Sequence, residues 1–266
     1  MLKYFTVKEN KVACWINPHD FGAKPQSLVF IHGSGGNSSA WSYQYSKLHK
    51  LFNVAAVNLP GHGKSGGQGE QNIPAYVLRL KEILGVLELD RPILIGHSLG
   101  AAIALCFAAE YPQDVSGIVA VGGGLTMPVN PDILEGLRLQ PQVVMDMICK
   151  FSLSKENRSE FFDALRLSLG EASVDVLSGD MLACSKFDLT GKIKNIIAPV
   201  LVICGTEDKM TPPASSEQIA AGIAGAKLVL IEGAGHMVMM EKPAAFNEAI
   251  QDFAAALPQT IHTKKS

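Results

Sequence analysis

The clearest chemical signal in the chain is Gly96-His97-Ser98-Leu99-Gly100. A serine hydroxyl is a weak nucleophile until a neighbouring base takes its proton, and the G-x-S-x-G pattern is one way a chain presents such a serine. A second match, Gly63-Lys64-Ser65-Gly66-Gly67, is followed by Gln68-Gly69-Glu70-Gln71-Asn72, which starts a helix poorly. Ser98 has the surroundings the pattern needs: an apolar run at 92–96 leads straight into it, and a helix-forming run at 99–110 leads straight out. A strand that turns at once into a helix strains the serine backbone and crowds the neighbouring chain. The positions two before and two after must then lack bulk, and they are Gly96 and Gly100. The helix start also aims its free N–H groups at the serine oxygen. The chemistry this implies is attack by Ser98 on a carbonyl.

Placing that serine requires a sheet. With 266 residues, 47% of them hydrophobic and 18% charged, the chain can bury a substantial core. Apolar runs at 28–32, 53–59, 92–96, 117–122, 199–205 and 227–232 are apolar enough to be buried on both faces, as in a parallel sheet covered by helices. Helical patterns at 73–89, 99–110 and 243–257 lie between or after them, the last with Phe246, Ile250, Phe253 and Leu257 on one face. The alternation predicts an α/β fold with a mostly parallel, doubly wound sheet. Ahead of it, 3–8 and 11–16 flank Glu9-Asn10 as an antiparallel hairpin at the sheet edge. Strands lapse after 125, where Pro128 and Pro131 open helical patterns at 132–151, 155–169 and 174–185. This predicts a core of 1–124 and 191–266 with an inserted helical cap at 125–190. The cap methionines Met127, Met145, Met147 and Met181 either line an adaptable pocket or fill a helical core.

On these residues the sequence resembles the α/β-hydrolase superfamily over nearly the whole chain outside the cap. His32-Gly33-Ser34-Gly35-Gly36 matches the family's His-Gly loop after the third strand. The resemblance implies an oxyanion hole made by the backbone N–H groups of Ser34 and Leu99. It also implies a triad in the order serine, acid, histidine. Of the seven histidines only His236 and His262 follow the elbow, and His262 sits in a terminal tail. His236 follows the apolar run 228–231 and is the expected general base. Asp208 matches the family's G-x-x-D followed by a proline, here Gly205 to Pro212, and is the expected acid. Glu207 and Glu232 are carboxylates in similar places that do not match the pattern. The loop Asn58-Leu59-Pro60-Gly61-His62-Gly63-Lys64-Ser65 resembles the family's D-x-P-G-x-G-x-S, with Asn58 where aspartate is usual.

Other readings of these motifs are weaker. Gly61 to Gly66 fits G-x-G-x-x-G, yet the carboxylate about twenty residues on, Glu82, lies inside a helical pattern rather than at a strand end. Gly63-Lys64-Ser65 mimics the end of a phosphate-binding loop, but Asn58 stands where its first glycine belongs. A net charge of −2 gives no reason to expect nucleic acid. Five cysteines without a CxxC pair read as buried thiols rather than a metal site or a disulfide frame. With no signal-like or membrane-spanning apolar run, a cytoplasmic location is expected. The expectation is thus a cofactor-free, metal-free hydrolase that cleaves a small carboxylic ester with an apolar acyl group through an acyl-enzyme on Ser98. A thioester, a lactone or a carbon–carbon bond would use the same residues, and a non-catalytic ligand receptor is the reading from another class. The sequence sets no oligomeric state.

Overall fold

A computed structural model of the chain describes residues 1–257; the terminal histidine, His262, lies outside the described residues. The chain begins with β1 (Leu2–Val7) and β2 (Asn10–Ile16), then β3 (Ser27–Ile31), α1 (Ser42–Leu48), β4 (Asn53–Val57), α2 (Ile73–Leu87), β5 (Ile93–His97), α3 (Leu99–Glu110) and β6 (Gly117–Val121). Four helices follow: α4 (Pro131–Leu139), α5 (Pro141–Ser152), α6 (Arg158–Leu169) and α7 (Val174–Ser185). The core resumes with β7 (Val200–Gly205), α8 (Pro213–Gly222), β8 (Lys227–Ile231), α9 (Val238–Glu241) and α10 (Pro243–Ala255).

The eight strands form one sheet in the order β1-β2-β4-β3-β5-β6-β7-β8. β1 and β2 pair antiparallel, as do β2 and β4, and every other neighbour is parallel. Every residue of β3 to β7 is buried. Alternate side chains feed two cores: Val29 and Ile31 face the layer of α2 and α3, and Leu28 and Phe30 face that of α1 and α10. The chain leaves β3 to one side for β4 and returns to the other side for β5. The carboxyl ends of β3 and β5 therefore flank the point where the winding reverses, where open α/β sheets leave a crevice.

Several sequence expectations change. The pattern at 132–151 is not one helix: Gln140 adopts φ −141° and the chain restarts as α5 at Pro141. Proline has no N–H for the preceding turn and its ring pushes residue 140 out of helical geometry. The hairpin turns at Lys8-Glu9 instead of Glu9-Asn10, since Val7 pairs with Asn10 and Lys8 takes the left-handed φ of 54°. β8 is not buried on both faces. It is the sheet edge, with Leu230 42% exposed. α1 and α8 cover the sheet in stretches that lack a strong apolar period.

The four helices between β6 and β7 are consistent with a cap and pack around a core of their own, which includes Leu137, Ile148, Leu169 and Leu177. The insertion closes at its base, where Thr126 bridges Asp188 and Leu189 N–H donates to Leu125 C=O at 2.9 Å. No helix among the described residues is long and apolar enough to cross a membrane.

Candidate active site

Ser98 stands between β5 and α3 with φ 54° and ψ −114°, a conformation non-glycine residues rarely hold. Two glycines make the turn feasible. A Cβ on Gly96 would lie 2.0 Å from Gly100 O, and one on Gly100 would lie 2.3 Å from Ile31 O. Ser98 N–H is tied to Val121 C=O at 2.9 Å, so β6 also holds the turn. Ala101 and Ala102 N–H both donate to Ser98 C=O, leaving Leu99 N–H ahead of the helical ladder. The Leu99 side chain is fully buried in the core. Ser65, in the second G-x-S-x-G match, has its hydroxyl consumed: it donates to Asn58 C=O at 2.8 Å and accepts from Ala13 N–H at 2.9 Å.

Asp208 and His236 meet beyond the carboxyl ends of β7 and β8. His236 Nδ1 lies 2.8 Å from Asp208 Oδ2, and both residues are buried. Burial acts to raise the Asp208 carboxyl, but the charge and hydrogen bond of His236, with further bonds from Thr211, hold it below its ordinary value. An ionised Asp208 accepts only, which puts a proton on Nδ1 and turns Nε2 to the far side of the ring. Thr211 was not singled out from sequence. Its N–H donates to Asp208 Oδ1 at 2.9 Å, and its hydroxyl lies 3.0 Å from Asp208 Oδ2 and 3.2 Å from His236 Nδ1. The signal was its position three residues after an aspartate, where local side-chain-to-backbone turns form. Glu207 and Glu232, the other candidate carboxylates, are not partners of the imidazole among the described contacts.

His97 also supports the site. Its Nε2–H donates to His236 C=O at 3.0 Å and its ring sits 4.5 Å from the His236 ring. Burial, with the neighbouring His236, pushes it down to about 3, so it stays neutral. Glu241 fixes the other side of this loop: it accepts from Gly235 N–H and from Ser154 N–H of the cap, both at 3.0 Å.

Ser98 and His236 line one cavity of about 660 Å³, and Ser34 of the His-Gly loop lines it too. No hydrogen bond joins Ser98 Oγ to the imidazole among the described residues, and both residues line this cavity. The structure thus gathers Ser98, His236 and Ser34 on the cavity wall with Asp208 behind the histidine. The walls are mostly apolar. Met127, Ile148, Phe161, Leu165 and Met181 come from the cap side, Met210 and Met237 from the loops around Asp208 and His236, and Met240 from α9. Of the other methionines, Met145 fills the cap's own core, Met239 is fully buried in the sheet's core, and Met147 is 36% exposed.

Asn58, the departure from the family loop, accepts Ser38 N–H at 2.6 Å through its side-chain oxygen. It therefore does from a neutral amide what an aspartate oxygen would do there, and it steadies the chain just after the His-Gly loop.

The profile described as "Alpha/beta hydrolase family" matches residues 28–249, and the chain belongs to that family. It is 29% identical over 276 residues to a 2-hydroxy-6-oxononadienedioate/2-hydroxy-6-oxononatrienedioate hydrolase of Cupriavidus pinatubonensis, covering 94% of each chain. Among solved structures it resembles a thermophilic esterase at 31% identity and TM-score 0.83, covering 97% of this chain and all of the other. It shares its fold with the enol-lactonase of Burkholderia xenovorans LB400 at TM-score 0.89 and 21% identity, covering 95% of this chain and 100% of that one.

Proposed function

We propose that this protein is a serine hydrolase that cleaves a small carboxylic ester with an apolar acyl group. The observation that carries this reading is the buried Asp208–His236 pair opening onto the same cavity as Ser98 on its strained turn. In this mechanism Ser98 Oγ comes within reach of His236 Nε2. His236 takes the proton as Oγ attacks the carbonyl carbon, and Asp208 stabilises the imidazolium that forms. The N–H groups of Ser34 and Leu99 receive the charge that develops on the carbonyl oxygen. The tetrahedral intermediate collapses, the leaving alcohol takes the proton from His236, and the acyl group stays on Ser98. Water, activated by the same imidazole, then releases the acid.

A cavity of this size is typical for a small ligand, and its methionine-rich wall suits a flexible aliphatic chain. The Cupriavidus relative is named for a dioate substrate. Among the residues lining this cavity Lys209 is the one lysine or arginine, and it is exposed at the rim. Two carboxylates would find little to replace their hydration there, so a neutral ester fits better than a dioate. The helical cap covers the cavity and would set the length of acyl chain accepted. No cofactor or metal takes part in this mechanism, the reading requires no macromolecular partner, and a cytoplasmic location remains part of the proposal.

The test is Ser98→Ala alongside labelling with a fluorophosphonate probe. Hydrolysis of p-nitrophenyl esters should fall by about 10⁴-fold or more with the fold retained, and the label should appear on Ser98 alone. Unchanged hydrolysis in the variant would end the reading, and a wild-type protein that resists the probe would favour a ligand receptor. Running thioesters and lactones beside esters of rising chain length ranks the acyl classes.

A further inference from the structure

A second buried histidine–carboxylate pair lies behind the His-Gly loop, and the mechanism above does not use it. Asp180 projects from α7 of the cap and is fully buried. Its Oδ2 accepts from Gly35 N–H and from His62 Nε2–H, each at 2.8 Å, and its Oδ1 accepts from the Tyr76 hydroxyl at 2.5 Å. Tyr76 is positioned in turn by Glu70 N–H, which donates to its oxygen at 3.0 Å. His62 Nδ1 lies 2.9 Å from Pro60 C=O. Both neighbours of the ring are acceptors, so both nitrogens must donate and His62 is an imidazolium paired with Asp180. Burial alone would depress the His62 pKa, but the hydrogen bond and charge of Asp180 outweigh it and raise the value.

The loop these residues hold is the one that carries Ser34. From beneath, His32 accepts Leu59 N–H at Nε2, which fixes its tautomer, and donates from Nδ1 to Gly33 C=O at 2.8 Å. Gly36 N–H donates to the same carbonyl at 3.0 Å. A trans peptide points its N–H opposite its carbonyl, so this engagement directs Ser34 N–H away from His32. From above, Gly35 has φ +65° and its Cα faces the cap so closely that a Cβ would lie 2.6 Å from Leu169 Cδ1 and 3.0 Å from Leu177 Cδ1. The Gly35 amide ties the loop to the cap at Asp180, beside a longer Ser34 Oγ–Cys184 Sγ contact of 3.8 Å to the same helix.

We infer that Asp180 is a positioning residue for the oxyanion-stabilising loop: held by His62 and Tyr76, it fixes the Gly35 amide from the cap side and thereby the direction of Ser34 N–H. Docking of the cap and completion of the oxyanion site are then one event. The inference rests on the acyl-transfer reading for what the loop does, though the hold on Gly35 does not depend on it.

The experiment compares wild type, Asp180→Asn and Tyr76→Phe. In Asp180→Asn the amide cannot accept from Gly35, His62 and Tyr76 together, and hydrogen exchange at the Ser34 and Gly35 amides should quicken. The kcat for the best p-nitrophenyl ester should fall by about 10- to 100-fold, as for a reacting geometry displaced by a fraction of an ångström to an ångström, with KM little changed. A trifluoromethyl ketone with the same acyl chain, which becomes an oxyanion in the site, should lose affinity by a similar factor, while the corresponding unreactive alcohol keeps its affinity. Tyr76→Phe should show the same pattern more weakly, and it carries the test if Asp180→Asn does not fold. Unchanged amide exchange would overturn the hold on the loop. Faster exchange with unaltered kcat and ketone affinity would reduce Asp180 to a cap anchor without influence on the reaction. Absence of fluorophosphonate labelling in wild type would instead overturn the acyl-transfer reading, leaving the exchange measurement to decide the hold on Gly35.

Discussion

Among the described residues two buried histidine–aspartate pairs share the same 2.8 Å contact, and they are built for opposite ends. Asp208 and His236 are 28 residues apart on adjacent strand-end loops, and the free edge of the imidazole opens onto the cavity. Asp180 and His62 are 118 residues apart, join the cap to the core, and have no exposed side-chain surface. The difference lies in the third partner. His236 has a donor-acceptor hydroxyl, Thr211, beside one nitrogen and open space beside the other. His62 has an acceptor on each nitrogen, so its proton has nowhere to go. A pair becomes an exchangeable base or a fixed ionic clamp according to what faces the far side of the ring.

Substitutions at the two pairs should therefore differ in how much stability they cost beside rate. The largest effect is expected for Asp208→Asn. Met210 and Thr211 N–H both donate to Oδ1, so the amide oxygen stays there and the NH₂ group turns toward His236 Nδ1. That forces the proton onto Nε2, where it cannot accept from Ser98, and steady-state assays should show kcat lower by about 10⁴-fold. His62→Ala should act chiefly on stability, with any loss of rate arising through Asp180 and the Gly35 loop. It leaves the Asp180 charge buried without its cation, and denaturant unfolding should show a loss of about 3–5 kcal/mol. Native-like stability in that variant would erase the contrast.

The smallest effect, and the sharpest test of charge state, is the pH dependence of unfolding. Asp208 is held below its ordinary 3.8, so its contribution is present above that value and disappears as pH falls through the depressed folded value. His62 is raised above 6.5, so its contribution is complete below 6.5 and disappears as pH climbs through the elevated folded value. The groups facing His62 are Asp180, which is its counter-charge, Tyr76, and His32, whose burial keeps it neutral. Acid should loosen one pair and alkali the other. A His62→Gln protein should lose the alkaline limb of the stability profile while keeping the acid limb.

Much of the Asp208–His236 side was legible in the sequence because it is local to strand ends. An apolar run, a glycine-bounded turn and a helix-forming run mark Ser98, and the runs before Asp208 and His236 mark where β7 and β8 stop. The edge position of β8 was hidden because Leu228 to Ile231 is as apolar as a central strand; only the order of strands says that one face is half open. The break at Pro141 was written in the sequence but overridden by an apolar period that continues across it. The Asp180–His62 pair left no local trace. Asp180 is one acidic residue on a helix, His62 one histidine in a glycine-rich loop, and only the docking of the cap brings them into contact. Glu241 escaped notice for the same reason, since its partners Ser154 and Asn157 belong to the cap.

The closure between Leu125 and Leu189 has a consequence for how such a chain diversifies. The two ends of the inserted helices are neighbours, so the whole segment between them is exchangeable through a single narrow doorway without altering any strand register. A recombinant that accepted a foreign insertion at those two crossover points would inherit a new ceiling over an unchanged floor. It would also need an acceptor in place of Asp180 to meet Gly35, which makes that carboxylate a compatibility requirement between lids and bodies, beside the groups that meet Glu241.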